Sequence, residues 1–207
     1  MNGLAEVIHG LGEAVNLVLR TVNGLETAVS LVLRTANAFD DVVVSLILVG
    51  FRSAMGINVH VEVVQPRKLA AVRRQVFIGA IASAWKPALD QVWAFLRSQP
   101  GLRAGGHNIF LYHHPARRTD PMDVDFGVEM TQSFTPSEEV FEATTPAGEA
   151  AIAVHRGGYD QLHATHDAIH QWARSHDRTF AGQSWEIYGD WSSDPSKLET
   201  TVVYLLA

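Results

Sequence analysis

The feature that most constrains this chain is an internal duplication between residues 57 and 207. Phe110-Leu111-Tyr112 follows a helical stretch and leads, eighteen residues later, to Met130, with Asp120-Pro121 in the connection. Glu186-Ile187-Tyr188 follows a second helical stretch and leads, eighteen residues later, to Leu206, with Asp194-Pro195 in the connection. Period-two and period-3.6 patterns alternate through both halves, and turn residues punctuate them. The spacing predicts a duplicated β-α-β-β unit. Two such units would share one curved antiparallel sheet with both helices on one side, an α+β fold with a ligand cleft between the halves.

The elements follow from local pattern. Val59 to Val64 reads as a strand ended by Pro66, and Leu69 to Phe77 as a second strand. Pro87 to Ser98 reads as a helix with Pro87 near its first position and Leu89, Val92, Trp93 and Leu96 on one face. Asn108 to His114 and Asp123 to Met130 read as strands, and Val140 to Gly157 as two more around a Pro-Ala-Gly turn. Tyr159 to His176 reads as a helix with Leu162, His166, Ile169 and Trp172 facing in. Ser184 to Trp191 and Thr200 to Leu206 complete the set.

Alternation on these strands singles out one carboxylate. It puts Glu186 and Tyr188 on one face, with Trp185 and Ile187 on the other. The internal match puts Phe110 and Tyr112 on the equivalent face of the first half. Glu186 is therefore expected among Tyr188, Tyr112 and Phe110, near the pseudo-twofold. A partly buried carboxylate needs protonation, hydrogen bonds or a cation. Tyrosine hydroxyls can serve it when the site is empty, and a cationic ligand stacked on the rings can serve it when full. The alternative is that Glu186 faces solvent.

The remaining polar residues carry weaker signals. His163, His166 and His170 share a helix arc, but no carboxylate or thiolate at matching spacing completes a site, so no metal and no cofactor are expected. His166 falls in the apolar stripe, as a core histidine would. His113 and His114 are adjacent and point to opposite faces. Arg156-Gly157-Gly158-Tyr159 reads as a tight strand-to-helix turn. There is no GxxxxGK[ST] and no GxGxxG, and Ser184 and Ser192 lack a GxSxG context.

Residues 1 to 56 are different. Gly10 to Asn23 and Gly24 to Asn37 share ten of fourteen positions. Fourteen residues are two heptads, so Leu4, Leu11, Val18, Leu25, Val32 and Phe39 stay on one row. The flanking positions are apolar or small, so the stripe is wide and is expected to dock or to self-associate through residues 1–45. Met55 offers an internal start that would make this segment dispensable.

Composition excludes several classes. Sixteen Lys and Arg against twenty-two Asp and Glu give a net charge of -6, and residues 1 to 56 hold three cations against five acids. A basic stripe for nucleic acid is missing, so direct DNA binding is not expected. No cysteine occurs, which excludes disulfides and thiolate chemistry and fits a reducing, cytoplasmic compartment. The longest uncharged apolar run, Val42 to Phe51, has ten residues, and a membrane span needs roughly 20. The first cation is Arg20, which does not suit a secretory signal.

The second half also resembles a known family. His155-Arg156-Gly157-x-Tyr159, Trp172, and Trp185-Glu186-Ile187-Tyr188 through Asp194-Pro195 are similar to the GyrI-like small-molecule-binding domain, the effector-binding half of many AraC-type and MerR-type regulators. The first half joins through Gly106-His107-Asn108 and the Tyr112 strand. The resemblance covers residues 57–207 and implies a cleft for hydrophobic, aromatic or cationic compounds, with Glu186 as its central carboxylate. It implies a sensor or sequestering module. It also allows a hydrolase that opens strained cyclopropane electrophiles, or an inhibitor of DNA gyrase. In the hydrolase reading Trp85, Phe110 and Trp191 hold a flat ligand by stacking, Glu186 directs a water, and Tyr112 or Tyr188 donates to the developing oxyanion.

Overall fold

The computed structural model describes residues 57–102, 104–117, 119–137 and 139–207. The heptad segment, with its expected helix and self-association, lies outside the described residues. The elements run β1 (Val59–Val64), β2 (Lys68–Val76), α1 (Ile81–Ser98), β3 (Ala104–His113), β4 (Met122–Met130), β5 (Phe141–Thr144), β6 (Gly148–Arg156), α2 (Leu162–Ser175), β7 (Phe180–Tyr188) and β8 (Glu199–Leu206). Short 3-10 turns precede each helix, at Ile78–Ala80 and Tyr159–Gln161.

All eight strands form one antiparallel sheet in the order β1-β6-β8-β7-β3-β4-β2-β5. The duplication is plain in that order. Strands β2-β4-β3 of the first unit mirror β6-β8-β7 of the second, and the two meet at β3 and β7. The outermost strands cross over: β1 pairs with β6, and β5 with β2. Each lead-in strand thus covers the edge of the other half, which leaves an unpaired row only on β1 and on the four-residue β5.

Both helices lie on the face that carries Phe110, Tyr112, Val202 and Tyr204. Helix α1 buries Ala88, Leu89, Val92 and Leu96 against Val72, Val124, Phe126 and Val128. Burial of each larger side chain is worth about 1.5–3 kcal/mol, so this spacing fixes α1 on β2 and β4. Helix α2 buries Leu162 and Ile169 against Ala151, Ala153, Val202 and Leu206. The opposite sheet face is apolar as well, with Leu69, Ile109, Leu111, Trp185 and Val203 almost fully buried.

The element boundaries differ most from the sequence reading in three elements. Helix α1 starts at Ile81, so Pro87 lies inside it rather than near its first position. Proline costs the helix one acceptor bond, here at the carbonyl four residues back on Ser83, which is exposed and can be solvated. Strand β3 begins at Ala104, ahead of the expected Asn108, through Gly105-Gly106 and a register shift. Gly106 has φ 135°, which a side chain would resist. Strand β7 starts at Phe180 and ends at Tyr188, so Trp191 falls in the connection that follows.

Candidate ligand site

The site is built where the two halves meet. Phe110 and Glu186 are direct partners across β3 and β7, Tyr112 faces Ser184, and Asn108 faces Tyr188. Alternation turns Asn108, Phe110, Tyr112, Ser184, Glu186 and Tyr188 to the helix-bearing face. Glu186 is only 5% exposed.

Three side chains satisfy this carboxylate. Tyr112 Oη donates to Oε2 at 2.7 Å, and Tyr188 Oη donates to the same oxygen at 2.5 Å. His166, reaching down from α2, places Nε2 2.9 Å from Oε1. Its Nδ1 lies 3.0 Å from the Tyr204 hydroxyl. A carboxylate has roughly four acceptor positions. Among the described residues, Oε2 takes two donors and Oε1 one, which leaves a position on Oε1 that a ligand or a water can fill.

Burial sets the protonation of the tyrosines. It pushes the Tyr112 hydroxyl well above the usual tyrosine range, and the neighbouring Glu186 charge adds to the effect. Tyr188 is raised in the same way, by burial first and Glu186 second. Both therefore remain hydrogen-bond donors at neutral pH. His114, beside them, donates or accepts at Ser184 Oγ over 2.7 Å. Burial lowers its pKa, and His170, His166 and His113 lower it further.

Aromatic rings surround the carboxylate. Phe110 packs on Phe126 at 4.9 Å, on Tyr188 at 4.7 Å and on Trp85 at 6.4 Å between centroids. Tyr159, in the turn before α2, meets Tyr188 edge-on at 5.6 Å. Tyr204 is ringed by His114, His166, His170 and Phe180. Of the six residues singled out from sequence, Glu186, Tyr188, Tyr112 and Phe110 form one cluster, and Trp85 stands at its margin. Trp191 is 79% exposed and is not packed on it.

Sequence reasoning missed His166 as the carboxylate's partner, and with it Tyr204 and Tyr159. It also missed two buried oxygens with no hydrogen-bond partner, Asn108 Oδ1 and Thr200 Oγ1. Both residues are cross-strand neighbours of Tyr188. The apolar stripe of α2 did contain a signal, since His166 was its one ionisable member.

The other histidines have separate tasks. His163 turns to the Asp160 carbonyl, while His170 packs on Phe180 and Tyr204. Among the described residues, no group of three or more His, Cys, Asp or Glu side chains is placed to hold a metal. On the opposite face His113 joins Arg73 around Asp125, which is 1% exposed. Arg156 pairs with Glu199 beside the Gly157 turn.

Comparison with known proteins places the fold. The model of the GyrI-like small molecule binding domain matches residues 57–205. The chain belongs to that family. The fold is shared with the C-terminal domain of EcmrR, at 18% identity and a TM-score of 0.62 over 73% of this chain and 98% of that one. SAV2435 bound to tetraphenylphosphonium is similar over 73% of this chain and 94% of its own, at 13% identity and a TM-score of 0.56. A hydrolase encoded by lin2189 from Listeria innocua aligns over 72% and 92%, at 11% identity and a TM-score of 0.52. No curated protein matches the sequence. Among the described residues, no helix of this GyrI-like chain is long and apolar enough to cross a membrane.

Proposed function

We propose that this GyrI-like domain binds small hydrophobic or aromatic cations in the cleft above Glu186, as a sensor or sequestering module. One observation carries the reading: a buried carboxylate at the seam of the two halves, held by Tyr112, Tyr188 and His166 beneath a layer of rings. The rings offer faces for a flat or lipophilic ligand, and the carboxylate supplies the opposite charge. The ligand-bound relative, SAV2435, carries a lipophilic phosphonium, which supports this ligand class. The net charge of -6 supports a role without direct DNA contact.

The test compares methyltriphenylphosphonium with triphenylphosphine oxide, a neutral compound of similar shape. The wild-type chain should bind the cation more tightly, and Glu186→Gln should remove the preference. Equal affinity for both compounds in the wild type would reject a counter-charge role.

A hydrolase reading has one specific support, the open acceptor position on Oε1. A water held there by Glu186 could attack a strained electrophile, and general-base assistance of this kind is worth about 10²–10⁴-fold. Incubation with a cyclopropyl dienone and mass analysis for a ring-opened hydrate tests it.

A further inference from the structure

We propose that His166 is the internal counter-cation of the empty site, and that a cationic ligand binds Glu186 in exchange for a proton lost from His166. The proposal rests on the cation-binding reading above and adds the regulation of that site.

The groups facing Glu186 and His166 come from every packed element. Strand β3 supplies Tyr112, the residue just after it is His114, β7 supplies Tyr188, and β8 supplies Tyr204. Helix α2 carries His163, Asp167 and His170 beside His166, with Asp160 in the turn before it. Helix α1 brings Trp85 to Phe110, while its Lys86 is paired with Asp90 at 2.8 Å. Among the described residues, two phenols and one imidazole lie within hydrogen-bond distance of Glu186. The phenols stay neutral. Only the imidazole can carry a positive charge.

That charge conflicts with a ligand cation. With His166 protonated, the pair with Glu186 is already neutral, and a further cation finds no net negative charge to offset its desolvation. With His166 neutral, one negative charge remains for the ligand. The exchange has a defined route. Nε2–H stays on Glu186 Oε1 in both states. The proton that leaves is the one on Nδ1, and the Tyr204 hydroxyl, 3.0 Å away, then turns to donate to Nδ1. Neither heavy-atom contact has to break. His114 is held below the ordinary histidine value by burial and by its histidine neighbours, which disfavours a second positive charge beside the site.

Linkage makes the effect reciprocal. Where binding displaces one proton from His166, affinity for a monocation should fall about tenfold per pH unit toward acid. A neutral ligand of the same shape should show no such fall.

The experiment is calorimetry of methyltriphenylphosphonium and triphenylphosphine oxide binding to the full chain. It runs between about pH 5 and 8, where histidines titrate, in two buffers of different ionisation enthalpy. Wild type should release a proton on binding the cation, approaching one per site at the acid end, and none on binding the oxide. His166→Gln keeps an N–H donor for Glu186 and should release none, with a flat affinity profile. Wild-type binding that needs Glu186 but is independent of pH would overturn this proposal and leave the cation-binding reading intact. Release that persists in His166→Gln would also overturn it. Cation affinity unchanged in Glu186→Gln, or no binding of either compound, would overturn both readings. Proton release is measured on the wild type, so the decision does not depend on the variant folding.

Discussion

Phe110 and Glu186 are direct cross-strand partners, and the boundary between the two halves of the sheet runs between them. They hold matching places in the two repeats, Phe110-Leu111-Tyr112 and Glu186-Ile187-Tyr188. At the position where the repeats face one another, one half has put a ring and the other a carboxylate. A symmetric pair of rings would make an apolar seam. A pair of carboxylates would repel. The asymmetric pair makes a single negative site with an apolar wall, and the two matching tyrosines both converge on it.

The tyrosines give a pH prediction. Tyr112 and Tyr188 are raised above the usual tyrosine value by burial first and Glu186 second. In the unfolded chain they ionise near pH 10. Stability from their neutral folded form is therefore fully present below pH 10 and is lost as pH rises above it. Each contributes a slope of about 1.4 kcal/mol per pH unit there. Urea unfolding between pH 8 and 11 should show a steep decline in wild type. The decline should be shallower in Tyr112→Phe/Tyr188→Phe, and equal slopes would contradict the buried hydrogen-bonded state.

Asp125 gives the opposite sign. Arg73 and His113 hydrogen-bond it and outweigh its burial, so its pKa lies below the usual aspartate value. Its contribution is present above the unfolded value near 3.9 and is lost as pH falls through the lower folded value. Removing one partner of a buried pair costs about 3–5 kcal/mol. Arg73 is 46% exposed at its side chain, which places Arg73→Met at or below the lower end. The loss should be largest near neutral pH and shrink only well below the unfolded value, as read by thermal unfolding at pH 7 and at about pH 2.

Much of this arrangement was legible in sequence, because it depends on period two. Alternation alone puts Glu186 with Tyr188, and the repeat puts Phe110 and Tyr112 beside them. What was not legible depends on how a helix sits on a sheet. The rotation of α2 decides that His166 meets Glu186 while His163, one turn earlier, meets a backbone carbonyl. No spacing rule fixes that rotation to within a hydrogen bond. Glycines hid the start of β3, because Gly105 and Gly106 carry no side chains to alternate. Pro87 read as a helix start because its missing N–H is cheapest there, although Ile81 and Ala84 carry the apolar stripe back past it. The unpartnered oxygens of Asn108 and Thr200 depend on exact packing around Tyr188.

Thr200 is a case where the repeat itself suggests the test. Thr200 lies opposite Tyr188, and Val124 lies opposite Tyr112 at the matching place of the first half. Both are fully buried, and the Thr200 hydroxyl has no partner. Thr200→Val removes a desolvated hydroxyl at nearly constant volume and should stabilise the fold by about 1 kcal/mol. A rise in melting temperature with unchanged phosphonium affinity is the expected result. A fall in melting temperature would mean that the hydroxyl is served within the folded protein. A fall in affinity alone would place Thr200 in the ligand site.

The tryptophans separate the margin of the ring cluster from the surface beyond it. Trp85 is 39% exposed and lies 6.4 Å from Phe110, so a ligand over Glu186 would meet its ring. Trp191 is 79% exposed in the β7–β8 connection, and Trp185 is buried on the opposite sheet face. An aromatic cation over Glu186 should therefore change the emission of Trp85 far more than that of Trp185 or Trp191. Titration with methyltriphenylphosphonium should give a saturable fluorescence change in wild type that Trp85→Phe largely removes and Trp191→Phe preserves. Affinity should fall in Trp85→Ala by about 0.5–2 kcal/mol, the range of a partly exposed cation–π contact. It should stay within error in Trp191→Ala. If Trp191→Ala instead gives the larger loss, the β7–β8 connection closes over the bound ligand.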